Sequence, residues 1–105
     1  MAKKNKRLYE ILVPKADNNG KSFSRAKHKA WDAKAMAMSG GLTKLATGVG
    51  QWAYEGKVYR ERMTPVRVAL TPAEIESLSA FTAEHYKQLA VMFYEVSANV
   101  TVRSY

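Results

Sequence analysis

The tetrapeptide Thr71-Pro72-Ala73-Glu74 limits the possible folds more than any other stretch of this chain. Threonine supplies an N-cap hydroxyl, proline suits the first helical position, and glutamate three residues after the cap can return a hydrogen bond to it. A helix therefore begins at Pro72. Ile75, Leu78, Phe81 or Thr82, His85 and Leu89 mark its core stripe, and Tyr86-Lys87-Gln88 its end. The residues before it alternate in the manner of a half-buried strand, with Val66, Val68 and Leu70 on one side and Arg67 and Ala69 on the other. Leu89 to Val96, rich in β-branched, aromatic and apolar residues, reads as a strand after the helix, and Val100-Thr101-Val102 as its extension. The second half of the chain is strand, helix, strand.

The first half has a matching order. Arg7 to Val13 is apolar on both sides and bounded by Pro14, as expected of a strand inside a sheet. Asp17-Asn18-Asn19-Gly20 turns the chain. Ser22 or Ser24 caps a helix running to about Met38, where Phe23, Ala26, Ala30, Ala33 and Ala37 recur beside Trp31, Ala35 and Met38. This small-residue face is expected to pack on a sheet, and Ser39-Gly40-Gly41 to stop the helix. Leu42 to Tyr54 and Lys57 to Leu70 form a hairpin around Glu55-Gly56. Pro65 lacks an amide proton, which predicts an interruption of the second strand at Thr64-Pro65.

Strand, helix, strand, strand, helix, strand is the ferredoxin-like α+β order, βαββαβ, with two helices on one face of a four-stranded antiparallel sheet. The division expected is a flexible basic arm, residues 1–6, and a single domain, residues 7–105. A 105-residue chain that is 47% apolar buries a thin core, so the uncovered sheet face predicts a homo-oligomer, dimer or trimer.

Charge and composition narrow the function. There are 17 Lys and Arg against 9 Asp and Glu, and no cysteine. Disulfides, thiolate-held metals and thiol nucleophiles are excluded. No segment has membrane-spanning length, and the amino terminus lacks an apolar signal core, so the expected location is the cytoplasm, or the host cytoplasm for a phage-encoded chain. Residues 1–34 hold ten Lys and Arg against three acids, and the remainder seven against six. A basic arm and first helix, with Lys3, Lys4, Lys6, Arg25, Lys27 and Lys29, would suit nucleic acid, and a solvated, solubilising face explains the same residues.

Arg60-Glu61-Arg62 is the most informative cluster. Strand alternation sends Glu61 to one face with Tyr59 and Met63, and both arginines to the other. A carboxylate among aromatic and thioether groups either holds a cationic ligand, such as an ammonium or sulfonium, or pairs with an arginine. Arg67 is a candidate for that partner or for an anionic ligand. Trp52, Tyr54 and Tyr59 are stacking candidates; with Trp31, Tyr86 and Tyr94 they serve equally as packing residues. His28 and His85 lack ligand partners at zinc-motif spacing, so no metal is expected, and Gly40-Gly41, Gly48 and Gly50 do not form a phosphate loop. No cofactor is expected, and no hydrolytic triad is indicated.

At Gly41-Leu42-Thr43, Gly50-Gln51-Trp52, Glu61 and Tyr86-Lys87-Gln88 to Val91, the chain resembles small phage and bacterial domains of unknown function, over roughly residues 8 to 97. Glu61-Arg62-Met63-Thr64-Pro65-Val66-Arg67-Val68 is closest to the phage members. The resemblance implies a ferredoxin-like fold and no particular activity. A weaker resemblance, in strand order, in Tyr59-Arg60-Glu61 and in Val66-Arg67-Val68, links the chain to phage S-adenosylmethionine lyases. That family implies an oligomer with sites between subunits, in which the substrate's own carboxylate displaces methylthioadenosine to give homoserine lactone. Glu61 would be the catalytic carboxylate; at the family's hairpin tyrosine this chain carries Trp52. Three functions follow: a small oligomeric phage-type accessory protein, of the anti-defence kind, that binds a host protein or small ligand at an intersubunit sheet face; an S-adenosylmethionine lyase; and a basic nucleic-acid-binding protein. The residues alone leave open whether the chain is an enzyme.

Overall fold

A computed structural model describes residues 5–105. Its elements are β1 (Arg7–Pro14), α1 (Arg25–Ser39), β2 (Thr43–Lys44), β3 (Gly48–Tyr54), β4 (Lys57–Leu70), α2 (Pro72–Tyr86) and β5 (Phe93–Ser97). All pairings are antiparallel. β4 pairs with β1, β1 with β5, and the outer edge of β4 carries β2 at one end and β3 at the other. This is the expected ferredoxin-like arrangement, with β1 and β4 central. The strands number five rather than four because the outer strand, expected to run from Leu42 to Tyr54, is broken at Leu45-Ala46-Thr47.

Pro65 accounts for the break. The expected interruption of β4 at Thr64-Pro65 does not occur, and β4 runs unbroken from Lys57 to Leu70. Leu12, opposite Pro65, donates its amide to Met92 on the β5 side. The backbone polar groups of Pro65 therefore point the other way, toward the outer edge. There its carbonyl accepts from the Leu45 amide at 2.8 Å, but no N–H is available to return the bond. Lys44 pairs with Val66 and Gly48 with Met63, which leaves residues 45–47 opposite only 64 and 65. The proline's missing donor thus appears as a bulge in the neighbouring strand.

One sheet face carries both helices. Tyr9, Ile11 and Val13 of β1 and Val66, Val68 and Leu70 of β4 meet Trp31 and Ala35 of α1 and Ile75, Leu78 and Tyr86 of α2 in a single core. Burying each large aliphatic side chain contributes about 1.5–3 kcal/mol. The Trp31 indole donates to the Thr82 hydroxyl at 2.8 Å, and that hydroxyl donates to the Leu78 carbonyl at 2.7 Å. The two helices are thereby joined through the core.

The helix caps match the sequence reading. Ser24 accepts from the Lys27 amide, Gly40 closes α1 in the left-handed region at φ 79°, and the Thr71–Glu74 capping box is complete. The buried face of α1 differs. Ala26, Ala30, Ala33 and Ala37 are exposed; Trp31 and Ala35 are buried, with Met38 packed against the core. The large indole sets the helix's rotation, because turning it outward would forfeit more apolar burial than four methyl groups could supply. In α2, Thr82 and Tyr86 complete the stripe in place of Leu89, which lies beyond the helix and is fully exposed. The last strand begins at Phe93 rather than Leu89, and Val100-Thr101-Val102 does not rejoin the sheet.

Candidate functional site

Strand alternation divides β4 cleanly. Val66, Val68 and Leu70 face the helices, so Tyr59, Glu61, Met63, Pro65 and Arg67 occupy the opposite, helix-free face. Pairing adds Gly48 opposite Met63, Gly50 opposite Glu61, Trp52 opposite Tyr59 and Tyr54 opposite Lys57. The hairpin closes at Glu55-Gly56, both in the left-handed region at φ 49° and 78°. Two positive φ values in a two-residue loop give the turn that matches the strands' twist.

The stacking candidates meet on this face. Trp52 and Tyr59 stack with ring centroids 4.6 Å apart and planes 20° from parallel. Tyr54 lies 6.2 Å from Trp52. One cross-strand pair further along, Glu61 faces a glycine. Gly50 places no side chain opposite Glu61, and a Cβ built there would lie 3.7 Å from the Met63 Sδ. Glu61 is half-buried. Among the described residues its side chain makes no hydrogen bond and no ion pair. A carboxylate so placed retains its full capacity to accept hydrogen bonds from a cationic group.

Arg67 does not join this group. It lies six residues along β4 from Glu61, about 20 Å in an extended strand, and its Nε donates to Glu10 Oε1 at 3.0 Å. Glu61, Met63, Trp52, Tyr54 and Tyr59 thus form one cluster, and Arg67 with Glu10 forms another on the same face. Of the other aromatic residues, Trp31 and Tyr86 are core, while Tyr94 is exposed.

The basic candidates are dispersed. Lys3 and Lys4 lie outside the described residues. Arg25 and Lys29 share a face of α1 at i and i+4, whereas Lys27 lies about 200° around the helix from Arg25. The histidines join the helices: His28 Nδ1 lies 2.7 Å from the Tyr86 hydroxyl, and His85 Nε2 lies 2.8 Å from the Lys27 carbonyl oxygen. Burial holds the His28 pKa below its ordinary value, and Lys15 and Lys44 lower it further. Burial also raises the Tyr86 phenol. Among the described residues no three His, Asp or Glu side chains converge as metal ligands. No helix there is long and apolar enough to cross a membrane.

The sequence reading missed Gly50 as the cross-strand partner of Glu61. Its signal was present in the hairpin: a glycine at an odd-face partner position two residues before Trp52, readable once the Glu55-Gly56 turn fixes the register.

No protein-family model matches the chain, and no curated protein matches it; the resemblance to domains of unknown function therefore rests on the residues quoted for it. Solved structures do match. CutA1 from Oryza sativa superposes with a TM-score of 0.66 at 8% identity, covering 92% of this chain and 83% of that one. The periplasmic divalent cation tolerance protein CutA from Archaeoglobus fulgidus gives 0.66 at 7% identity, covering 93% and 88%. A phage S-adenosylmethionine lyase, in complex with S-methyl-5′-thioadenosine, gives 0.64 at 11% identity, covering 93% and 85%. At these identities the likeness is one of fold. The chain shares its α+β architecture with CutA proteins, which its sequence does not suggest, and with the phage lyase, which it does.

Proposed function

We propose that the chain is a homo-oligomer that binds S-adenosylmethionine at the helix-free sheet face between subunits, and cleaves it to methylthioadenosine and homoserine lactone. The observation that carries this reading is Glu61, a carboxylate without a partner among the described residues, opposite Gly50 and near Met63 and the Trp52–Tyr59 stack. The fold likeness to a phage enzyme of that activity supports it. No observation favours a host protein as the occupant.

The chemistry asks little of the protein. A carboxylate oxygen of the substrate attacks its own γ-carbon, and the carbon–sulfur bond breaks with its electron pair going to sulfur. The sulfonium becomes a neutral thioether, the carboxylate becomes a lactone, and no proton moves. Opposite charges disappear in the transition state, so a dry aromatic site that keeps water from solvating the separated charges favours the reaction. The reacting ends must also be held together in the folded-back conformer. The ammonium group keeps its charge throughout. Glu61 fits the role of holding it, which positions the substrate without opposing the loss of charge at sulfur.

A second subunit would complete the site. The hairpin formed by β3 and the first half of β4 is exposed on nearly every residue, including Trp52, Tyr54 and Val58. A two-stranded arm of this kind is marginal alone in water. Its aromatic face gains stability by packing against another copy, which would also cover Glu61.

Incubating the purified protein with S-adenosylmethionine and following methylthioadenosine by chromatography tests the proposal. Product should accumulate with the native chain and fall at least tenfold with Glu61→Gln. Product no greater than in a protein-free control removes the lyase reading.

A further inference from the structure

The opposite side of the sheet holds a cleft with no residue in common with the Glu61 cluster. It is a cleft of about 510 Å³ between α1, β2 and the end of β1. The volume is within the range of small organic ligands and far exceeds that of a lone ion. Its position follows from the break in the outer strand: Lys44 is the last residue of β2, and Leu45 and Thr47 line the cleft where the chain leaves β4.

Three cations from three places in the sequence line this cleft. Lys15 follows the end of β1, Arg25 opens α1 and Lys44 ends β2. Among the described residues the only lining acid is Asp32, and it is engaged by Lys44 at 2.7 Å. The lining thus carries two positive charges in excess. The first turn of α1 contains no acidic residue, so the positive end of the helix dipole adds to this field without compensation. The pKa of His28, inside the cleft, is lowered first by burial and then by Lys15 and Lys44. Phe23 and the Thr47 and Thr64 hydroxyls give the cleft an apolar wall and further hydrogen-bonding groups.

Two uncompensated charges match a dianion better than a monocarboxylate, and the apolar wall suits an organic substituent. We propose that this cleft binds a phosphate monoester of a small organic molecule, with the phosphate held by Lys15 and Arg25 beside the Lys44–Asp32 pair. The concave form favours a small ligand over a nucleic-acid backbone, which needs an extended track of cations. The site is independent of the lyase reading, because the sheet separates it from Glu61.

Histidine-ring NMR at low salt provides the test, with inorganic phosphate, ribose 5-phosphate and adenosine 5′-monophosphate as probes. The groups acting on the His28 ring are Lys15, Lys44, Asp32 and His85, with Tyr86 hydrogen-bonded to it and Arg25 sharing the cleft. The two monoesters should shift the His28 signals saturably and raise its pKa, with a smaller change at His85. They should bind more tightly than inorganic phosphate. A Lys15→Gln/Arg25→Gln variant, its fold checked by circular dichroism, should bind at least tenfold more weakly, a loss of about 1.4 kcal/mol. Glu61→Gln should bind as the native chain does. Absence of a saturable His28 response up to about 10 mM probe, weaker than any useful binding, overturns the proposal. So does undiminished binding by the double variant, or a response of Lys27 and Lys29 to duplex DNA with none at His28 to the monoesters.

Discussion

Glu10 and Arg67 lie directly opposite one another on β1 and β4, with Arg67 Nε donating to Glu10 Oε1 at 3.0 Å on the sheet face that no helix covers. The glutamate side chain is only 8% exposed and the arginine 42%. Removing the arginine strands a buried carboxylate. Arg67→Ala should cost about 1–3 kcal/mol in urea denaturation, the penalty for an unsatisfied buried polar group. Glu10→Met combined with Arg67→Met should recover most of it, since an apolar pair needs no desolvated charge. An Arg67→Ala variant as stable as the native chain would mean that Glu10 is satisfied by other groups.

The core hydrogen bond between the helices makes a separate prediction. Thr82→Val preserves shape but removes the acceptor of the Trp31 indole, which is 1% exposed. A loss of about 1–3 kcal/mol is expected in the same denaturation experiment, with no change of fold by circular dichroism. A neutral result would show that the indole N–H finds another acceptor.

His28 predicts a pH dependence. Its folded-state pKa lies below the ordinary value of 6.5, so the unfolded chain takes up the proton more readily. The stability linked to His28 is complete above pH 6.5 and declines as pH falls from there toward the folded-state pKa. His28→Gln should flatten the stability profile over that interval. Comparing native and variant melting curves between pH 5 and pH 8 isolates the effect from that of the carboxylates.

The exposed hairpin predicts assembly. Analytical ultracentrifugation should find a mass that is a multiple of the 11.8 kDa chain. Trp52→Ala and Tyr59→Ala should each shift it toward the monomer, because aromatic anchors dominate such interfaces. A native chain that sediments as a monomer at tens of micromolar removes both the oligomer and the intersubunit site.

Local chemistry made much of the fold legible. The Thr71–Glu74 box, the Glu55-Gly56 turn, Gly40 and the alternation of Val66, Val68 and Leu70 all act over a few residues, and each lies where the sequence indicates. Register through the hairpin then placed Glu61 with Tyr59 and Met63. What was not legible depends on competition between distant parts. Four alanines outline a plausible buried face for α1, yet one tryptophan sets its rotation, through a contact with Thr82 some fifty residues away. Leu89 looks like core until the left-handed Lys87 ends the helix. Arg67 cannot reach Glu61 because β4 runs unbroken between them, and it pairs instead with Glu10 opposite it on β1. The effect of Pro65 was recognised but assigned to the wrong strand, since a proline shows which donor is missing and not which neighbour must adjust.

That adjustment bears on solubility. An outer strand with regular, unpaired polar groups is a template onto which further chains can add indefinitely. Here the outer strand is divided into a two-residue piece and a seven-residue piece with a bulge between them, and no incoming strand can follow it in a single register. The proline thus discourages open-ended polymer growth along this edge of the sheet.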